Sequence, residues 1–158
     1  MQYLIGVDGG GSGCRVILTS IQGETLAKAE GGPANIETSF KTARENIIDA
    51  CKKAFKNAKI SENNFNNSFA ILGLAGSNLG NYAAQLSDKL PFARNKILND
   101  GEITLEGAIG PVDGCIGALG TGSVFVGRKN GITKLTGGWG FSLGAVSYTH
   151  LRAHETSQ

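Results

Sequence analysis

Short apolar runs separated by polar, glycine-containing turns occupy the first thirty residues of the chain. The runs cover residues 3–7, 14–20 and 25–29, and the second is rich in β-branched side chains. Runs of this length between turns are typical of β-strands. The sequence therefore predicts that the chain begins with three strands, of which the first two form a hairpin.

A helical pattern follows these strands. From residue 38 the apolar positions recur every three or four residues, which predicts an amphipathic helix of about five turns. These positions are Phe40, Ala43, Ile47, Cys51, Phe55 and Ala58.

Strands and helices then alternate. We predict a buried strand over 68–74, a strand over 96–98 and a small-residue helix over 102–109. The helix between the two strands carries Leu79, Ala83, Leu86 and Leu90 and ends before Pro91. The resulting order, βββαβαβα, requires helical crossovers, so we expect an α/β class with a mixed sheet and helices on both faces.

Further strands follow the last helix. They are predicted at 116–119, 124–128 and 132–135, with the last two joined at Asn130-Gly131, a favoured hairpin turn. We expect residues 1–144 to form one lobe, whose last strands, from about 114, lead into a second lobe that is missing from this chain.

The composition fits a soluble protein with a core. The chain has 158 residues, 41% of them hydrophobic, and a net charge of +2. No apolar stretch approaches the ~20 residues of a membrane span, and the start has no leader-like pattern, so we expect a cytoplasmic protein without membrane contact. The lysines between 52 and 59 lie on the predicted helix, where a solvated face is expected rather than a nucleic-acid site. The three cysteines are expected to be small core residues.

The last fourteen residues differ from the rest. The string from Val146 to Thr156 resembles an in-frame translation of a transposon-based sequencing adapter, so we expect 145–158 to be non-native. Both histidines, His150 and His154, lie there. Any general base in 1–144 must then be a carboxylate.

The most informative stretch follows the first strand. Asp8 ends that strand, and the next five residues are Gly9, Gly10, Gly11, Ser12 and Gly13. Such a loop lets backbone N–H groups approach a phosphate, and the carboxylate beside it favours a metal-bound nucleotide. A strand follows the loop, so the Rossmann and Walker loops, which open onto a helix, are excluded. A plain flexible turn is the alternative.

Two later features repeat this chemistry. A second glycine loop lies between the strands predicted at 116–119 and 124–128. It comprises Gly120, Thr121, Gly122 and Ser123. Asp100 follows the strand that ends at Leu98, and strand ends in open α/β sheets collect ligands. From position alone Asp100 is either a general base or a helix N-cap. The small residues Gly76 and Ser77 also follow a strand and would let backbone approach a ligand.

Together these stretches resemble the BadF/BadG/BcrA/BcrD ATPase family, within the superfamily of acetate kinases, sugar kinases and actin. Within that family, the chain looks most like glucosamine and N-acetylglucosamine kinases. The resemblance implies a ribonuclease H-like, actin-like ATPase lobe. Its matching stretches are 6–12, 34–35, 73–76, 99–100, 120–123 and 137–140.

The resemblance also implies roles for individual residues. Asp8 would hold Mg²⁺ through water beside the first phosphate loop, Gly120–Ser123 would form the second, and Asp100 would be the catalytic base that deprotonates the sugar. The residues expected near the sugar are Asn35, Gly76, Ser77, Gly138, Trp139 and Gly140.

The implied function is an ATP-dependent kinase of glucosamine or N-acetylglucosamine, a homodimer at full length and inactive as this fragment. Val124 stands where animal N-acetylglucosamine kinases have Asn, which leaves N-acetylation of the substrate open. Two alternatives are the ATPase activator of a 2-hydroxyacyl-CoA dehydratase or benzoyl-CoA reductase, and a non-catalytic domain that senses a sugar or nucleotide. The activators tend to have a different second loop and iron–sulfur cysteines.

Overall fold

The computed structural model describes residues 2–119 and 123–137. The described residues divide after Asp100 into two compact units, called here the first and the second unit. The predicted tail, 145–158, lies outside the described residues.

The first unit is built on a five-stranded mixed sheet. Its spatial order is β3-β2-β1-β4-β5. The first three strands pair antiparallel, whereas β4 runs parallel to β1 and β5 runs parallel to β4. The predicted mixed sheet and its opening hairpin are therefore confirmed. The strands are β1 (Tyr3–Gly9), β2 (Cys14–Ser20), β3 (Thr25–Gly31), β4 (Ser68–Leu74) and β5 (Arg94–Asn99).

Helix α1 (Phe40–Asn57) covers one face of this sheet. Ile5 and Val7 of β1 point toward it, because alternate residues of a strand share a face, and both belong to the buried core. The predicted period of α1 is confirmed. Its buried residues are Ala43, Ile47, Ala50, Cys51, Ala54 and Phe55. On the opposite face of the sheet, Leu4 and Ile71 are 36% and 40% exposed.

Three phenylalanines close one end of the core. Phe65 packs edge-on against Phe55, with ring centroids 4.8 Å apart, and against Phe92 at 5.3 Å. Phe65 is carried by a 3₁₀ helix, Glu62–Asn67, in a stretch for which the sequence pattern predicts no helix or strand. Edge-to-face pairs of this kind stabilise a core beyond the area they bury.

The second predicted helix is shorter than expected. Helix α2 is Tyr82–Ser87, and Leu79, predicted to lie on its apolar face, is 45% exposed before it. The prediction was wrong there because Gly80 has a φ of +54°, outside the helical region. A reciprocal pair of hydrogen bonds between Ser87 and Asn95 holds α2 to β5.

Helix α3 (Asp100–Ile109) begins at the last residue of the first unit, two residues earlier than predicted. The second unit then forms an antiparallel sheet in the order β6-β7-β8. Asn130 and Gly131, with φ values of 51° and 74°, form the predicted hairpin turn. The strands are β6 (Gly114–Leu119), β7 (Ser123–Lys129) and β8 (Ile132–Gly137).

The three cysteines differ in exposure. Cys14 and Cys51 are buried as expected, but Cys115 is exposed, so the prediction of three core cysteines was wrong for this residue. Cys115 lies on a three-stranded sheet whose other residues include the exposed Phe125 and Ile132.

Of the helices in the described ranges, none has the length and apolar character needed to cross a bilayer.

Candidate active site

The carboxyl ends of β1, β4 and β5 meet at one edge of the first sheet. Gly9 of β1 is in register with Leu74 of β4, which is in register with Asn99 of β5. Adjacent strands lie ~4.8 Å apart, so β1 and β5 end about 10 Å from each other. The sheet therefore places Asp8 and Asp100 at the same edge, where open α/β sheets bind ligands.

The first glycine loop is the tip of the β1–β2 hairpin. It is closed by a hydrogen bond from the Gly10 N–H to the Gly13 carbonyl, 2.9 Å long. Gly9 and Cys14 pair just below it. The predicted strand–loop–strand arrangement is thus confirmed.

The glycines of this loop differ in what they contact. A Cβ on Gly9 would lie 2.6 Å from the Leu74 side chain, so packing requires glycine there. At Gly10 and Gly11, by contrast, no described atom would lie within 4 Å of an added Cβ. Neither of these two residues has the positive φ that favours glycine. Open space over two small residues is what close approach of a ligand to backbone requires.

A pocket of about 350 Å³ opens beside the loop, within the range of small-molecule sites. Besides loop residues, it is lined by Arg15 and Glu30, which the sequence reasoning did not select. The lining residues are Asp8, Gly10, Ser12, Gly13, Cys14, Arg15, Glu30 and Gly31.

Asp8, Arg15 and Glu30 form one row across three strands. Asp8 is in register with Arg15, and Arg15 with Glu30, so the three side chains share a face of the sheet. Arg15 Nη1 lies 3.8 Å from Asp8 Oδ2, and these side chains are 79% and 55% exposed. Such an exposed ion pair is weak, which leaves Asp8 accessible to another cation. Once the loop length is known, the hairpin register alone would have paired Arg15 with Asp8.

Asp8 fits one mode of magnesium binding. Within residues 2–119 and 123–137 there is no group of three or more His, Cys, Asp or Glu side chains that could hold a metal. Mg²⁺ of nucleotide enzymes is usually bound by one or two carboxylates, with waters and phosphate oxygens completing its shell. A single accessible carboxylate beside a phosphate loop suits that arrangement.

The buried thiols beneath the loop are chemically inert. Burial raises the pKa of Cys14, and burial raises the pKa of Cys51 to about 12. Both groups therefore stay neutral at ordinary pH, and a neutral thiol is a poor nucleophile. Cys14, although it lines the pocket, contributes packing rather than covalent chemistry.

Two backbone hydrogen bonds join the loop to two neighbouring segments, and a third joins these segments to each other. The Ala75 N–H donates to the Gly9 carbonyl at 2.9 Å, and the Ala34 N–H donates to the Gly10 carbonyl at 2.8 Å. The Ile36 N–H in turn donates to the Ala75 carbonyl at 3.2 Å. The segments that follow β3 and β4 are therefore fixed directly against the base of the loop.

Three residues predicted to face the sugar lie on these segments. Asn35 Oδ1 accepts from the N–H groups of Glu37 and Thr38, at 3.0 and 3.1 Å, which fixes the side chain and leaves its amide nitrogen as the donor. Gly76, with a φ of +80°, packs against Asn35. The Ser77 hydroxyl donates to the Leu98 carbonyl at 3.0 Å, so its oxygen can still accept.

Asp100 lies just beyond the Gly9–Leu74–Asn99 row, as the first residue of α3. The amino-terminal end of a helix favours negative charge, because the backbone N–H groups of its first turn have no partner within the helix. The position therefore suits a negatively charged side chain.

The remaining predicted site residues cannot be placed. Gly120, Thr121, Gly122, Gly138, Trp139 and Gly140 lie outside the described residues. Ser123 is the first residue of β7.

The sequence profile of the BadF/BadG/BcrA/BcrD ATPase family matches residues 5–155. The chain belongs to this family. The resemblance seen in the sequence is thus confirmed.

Two sugar kinases are similar to the chain in sequence. The chain is 31% identical to the glucosamine kinase GspK of Vibrio cholerae, over 90% of this chain and 49% of that protein. It is 30% identical to an N-acetylmuramic acid/N-acetylglucosamine kinase of Clostridium acetobutylicum, over 91% of this chain and 48% of that protein. The chain therefore spans about half the length of these two relatives.

A solved structure gives the same result for the fold. A candidate N-acetylglucosamine kinase from Chromobacterium violaceum superposes with a TM-score of 0.84 at 36% identity. The superposition covers 91% of this chain and 51% of that one.

Proposed function

We propose that this chain provides the phosphate-binding half of an ATP-dependent amino-sugar kinase, which transfers the γ-phosphate of ATP to a hydroxyl of glucosamine or N-acetylglucosamine. The observation that carries the proposal is the open backbone at Gly10 and Gly11, beside Asp8 and on the sheet edge where Asp100 begins α3. Two named relatives of about 30% identity are amino-sugar kinases, which supports this substrate class.

In the proposed reaction, Asp100 accepts the proton of the sugar hydroxyl while that oxygen bonds to the γ-phosphorus. The bond between the γ-phosphorus and the β,γ-bridging oxygen breaks, and ADP leaves. Phosphoryl transfer depends mainly on positioning and charge neutralisation. Mg²⁺, held by Asp8 through water, would supply neutralising charge when bound.

The first glycine loop would position the phosphates through its N–H groups, and the second loop, 120–123, would add further phosphate contacts. Asn35, Gly76 and Ser77 would face the sugar, together with 138–140. The Asn35 amide nitrogen suits a sugar hydroxyl or ring oxygen, because its own oxygen is already used by backbone. A longer protein of the relatives' length, its cytoplasmic location and its homodimer stay predictions.

The test is a substrate panel on the longer gene product. The source locus is sequenced beyond residue 144, and the encoded protein is assayed for ADP release with Mg·ATP and glucosamine, N-acetylglucosamine, N-acetylmuramic acid or glucose. We expect sugar-dependent ADP release with an amino sugar and little with glucose. ADP release that no sugar stimulates would favour the activator ATPase, and no release with any sugar would contradict the kinase.

A further inference from the structure

Asn46 is a polar residue on the apolar side of helix α1. It lies between Ala43 and Ala50, three residues after one and four before the other, and both of these are buried. Its Nδ2 donates to the Pro33 carbonyl at 2.7 Å. The side chain thus reaches from the helix to the segment between β3 and α1.

The last residue of β3 and the residue after it are packed closely against Asn46. A Cβ on Gly32 would lie 2.7 Å from Asn46 Nδ2, and a Cβ on Gly31 would lie 3.0 Å from the Asn46 carbonyl. Two consecutive glycines therefore allow the backbone to approach Asn46. This packing leaves the amide little freedom to turn away from Pro33.

The bond to Pro33 fixes a peptide group that also contacts the glycine loop. The Pro33 carbonyl and the Ala34 N–H belong to one planar trans peptide, in which the two groups point in opposite directions. The carbonyl accepts from Asn46, and the N–H donates to the Gly10 carbonyl at 2.8 Å.

A second peptide group extends this arrangement into the loop. The Gly10 carbonyl and the Gly11 N–H belong to one planar peptide group, in which they point in opposite directions. Because the carbonyl is held toward Ala34, the Gly11 N–H points away from Ala34. No described atom lies within 4 Å of the position of a Gly11 Cβ. The Gly11 N–H is thus held away from Ala34, in a loop whose surroundings are open.

We propose that Asn46 is a positioning residue for phosphate binding: through the 33–34 and 10–11 peptide groups it orients the Gly11 N–H toward a bound phosphate. That the ligand is the phosphate of ATP rests on the proposed function. The orientation itself rests only on the contacts given above.

The chain offers a matched control for Asn46. Asn57, on the same helix, donates from its Nδ2 to the Lys28 carbonyl of strand β3, at 3.1 Å. Lys28 pairs with Ile17, far along the strand from the loop. Asn46→Asp and Asn57→Asp each replace a donor by an acceptor that cannot bond a carbonyl. Only the first change breaks the connection to Gly10.

The first measurement is amide hydrogen exchange in the 158-residue chain, read at Ala34 by NMR. We expect Asn46→Asp to speed exchange of the Ala34 N–H about tenfold, the scale of one lost hydrogen bond. Asn57→Asp should leave it near the wild-type rate. An unchanged rate in Asn46→Asp, or an equal rise in both variants, would overturn the proposal. If Asn46→Asp does not fold, as judged by circular dichroism, Asn46→Ala takes its place.

The second measurement is kinetic and uses the longer, active protein. Asn46→Asp should raise the KM for Mg·ATP about tenfold, with the KM for the sugar nearly unchanged, and Asn57→Asp should change neither. An unaltered KM for Mg·ATP would contradict the phosphate role of Asn46 even if Ala34 responds. If the wild-type protein turns over no ATP, the proposed function fails, whereas the exchange rates still decide whether Asn46 orients the loop.

Discussion

At the scale of single residues, the glycines of the site fall into two groups that the sequence cannot distinguish. Gly9 is required by packing against Leu74, whereas Gly10 and Gly11 face open space. In the sequence alone, the three are equivalent members of a glycine-rich loop. The structure separates them, because only the second group is left for a ligand.

Asn46 and Arg15 show what the sequence could have revealed about the site. Asn46 lies three residues after Ala43 and four before Ala50, so the helical period could have shown it to be a polar residue beside buried positions. Arg15 required the register of the hairpin, which pairs it with Asp8. Periodicity predicts which residues are buried, but it does not predict which carbonyl a side chain reaches.

Gly76 provides a test at this scale. A Cβ there would lie 2.8 Å from both Asn35 Oδ1 and Glu37 Cβ, and the residue has a φ of +80°. Gly23 has a φ of +87° with no atom within 4 Å of an added Cβ, so Gly23→Ala isolates the cost of the left-handed backbone. We expect Gly23→Ala to lower the free energy of unfolding by about 1–2 kcal/mol. Gly76→Ala should cost about 1–3 kcal/mol more, as overpacking does.

The measurement for this pair is the free energy of unfolding in urea, compared between variants whose dependence on urea concentration has the same slope. If the two alanine variants are equally destabilised, the close packing of Gly76 against Asn35 is wrong.

At the scale of elements, Arg128 fixes the carboxyl end of α3. Its guanidinium donates to the carbonyls of Gly110 and Val112, the second at 3.0 Å from both Nε and Nη2, and pairs with Glu106 of the helix. The last carbonyls of a helix otherwise lack partners.

We expect Arg128→Lys to lower the free energy of unfolding by about 1–3 kcal/mol, because lysine keeps the charge but not the planar set of donors. Arg94→Lys is the control, since Arg94 is exposed and lies over the Phe69 ring at 5.8 Å. Arg94→Lys should change stability by less than about 0.5 kcal/mol, as exposed substitutions usually do. Equal losses in a urea titration would show that Arg128 does not hold the helix end.

Elements with a strong period were predictable from the sequence, and weaker ones were not. The buried positions of α1 and the hairpin at Asn130-Gly131 follow from local patterns. Helix α2 was predicted too long because apolar spacing continued through Gly80, whose backbone is not helical. The 3₁₀ helix that carries Phe65 has no comparable period, so only the packing of the core reveals it.

At the scale of the whole molecule, the order of strands and crossovers determined the location of the site. Parallel β1, β4 and β5 place their carboxyl ends together, so residues far apart in sequence meet at one edge. That edge could be predicted from sequence order and a general rule of open sheets. The roles of Trp139 and of the loop at 120–122 stay predictions, because these residues lie outside the described ranges. The chain also spans only about half the length of the two similar kinases.

The central claim is that Asp100 is the base of a phosphoryl transfer at this edge. The decisive measurement is kcat of the longer protein for its amino sugar in Asp100→Asn, with Asp49→Asn, an exposed position on α1, as the matched control. The account predicts a kcat about 10²–10⁴-fold lower in Asp100→Asn, the usual contribution of a general base, with the KM for Mg·ATP and the kcat of Asp49→Asn near wild type. Equal kcat values in the wild type and Asp100→Asn would contradict it.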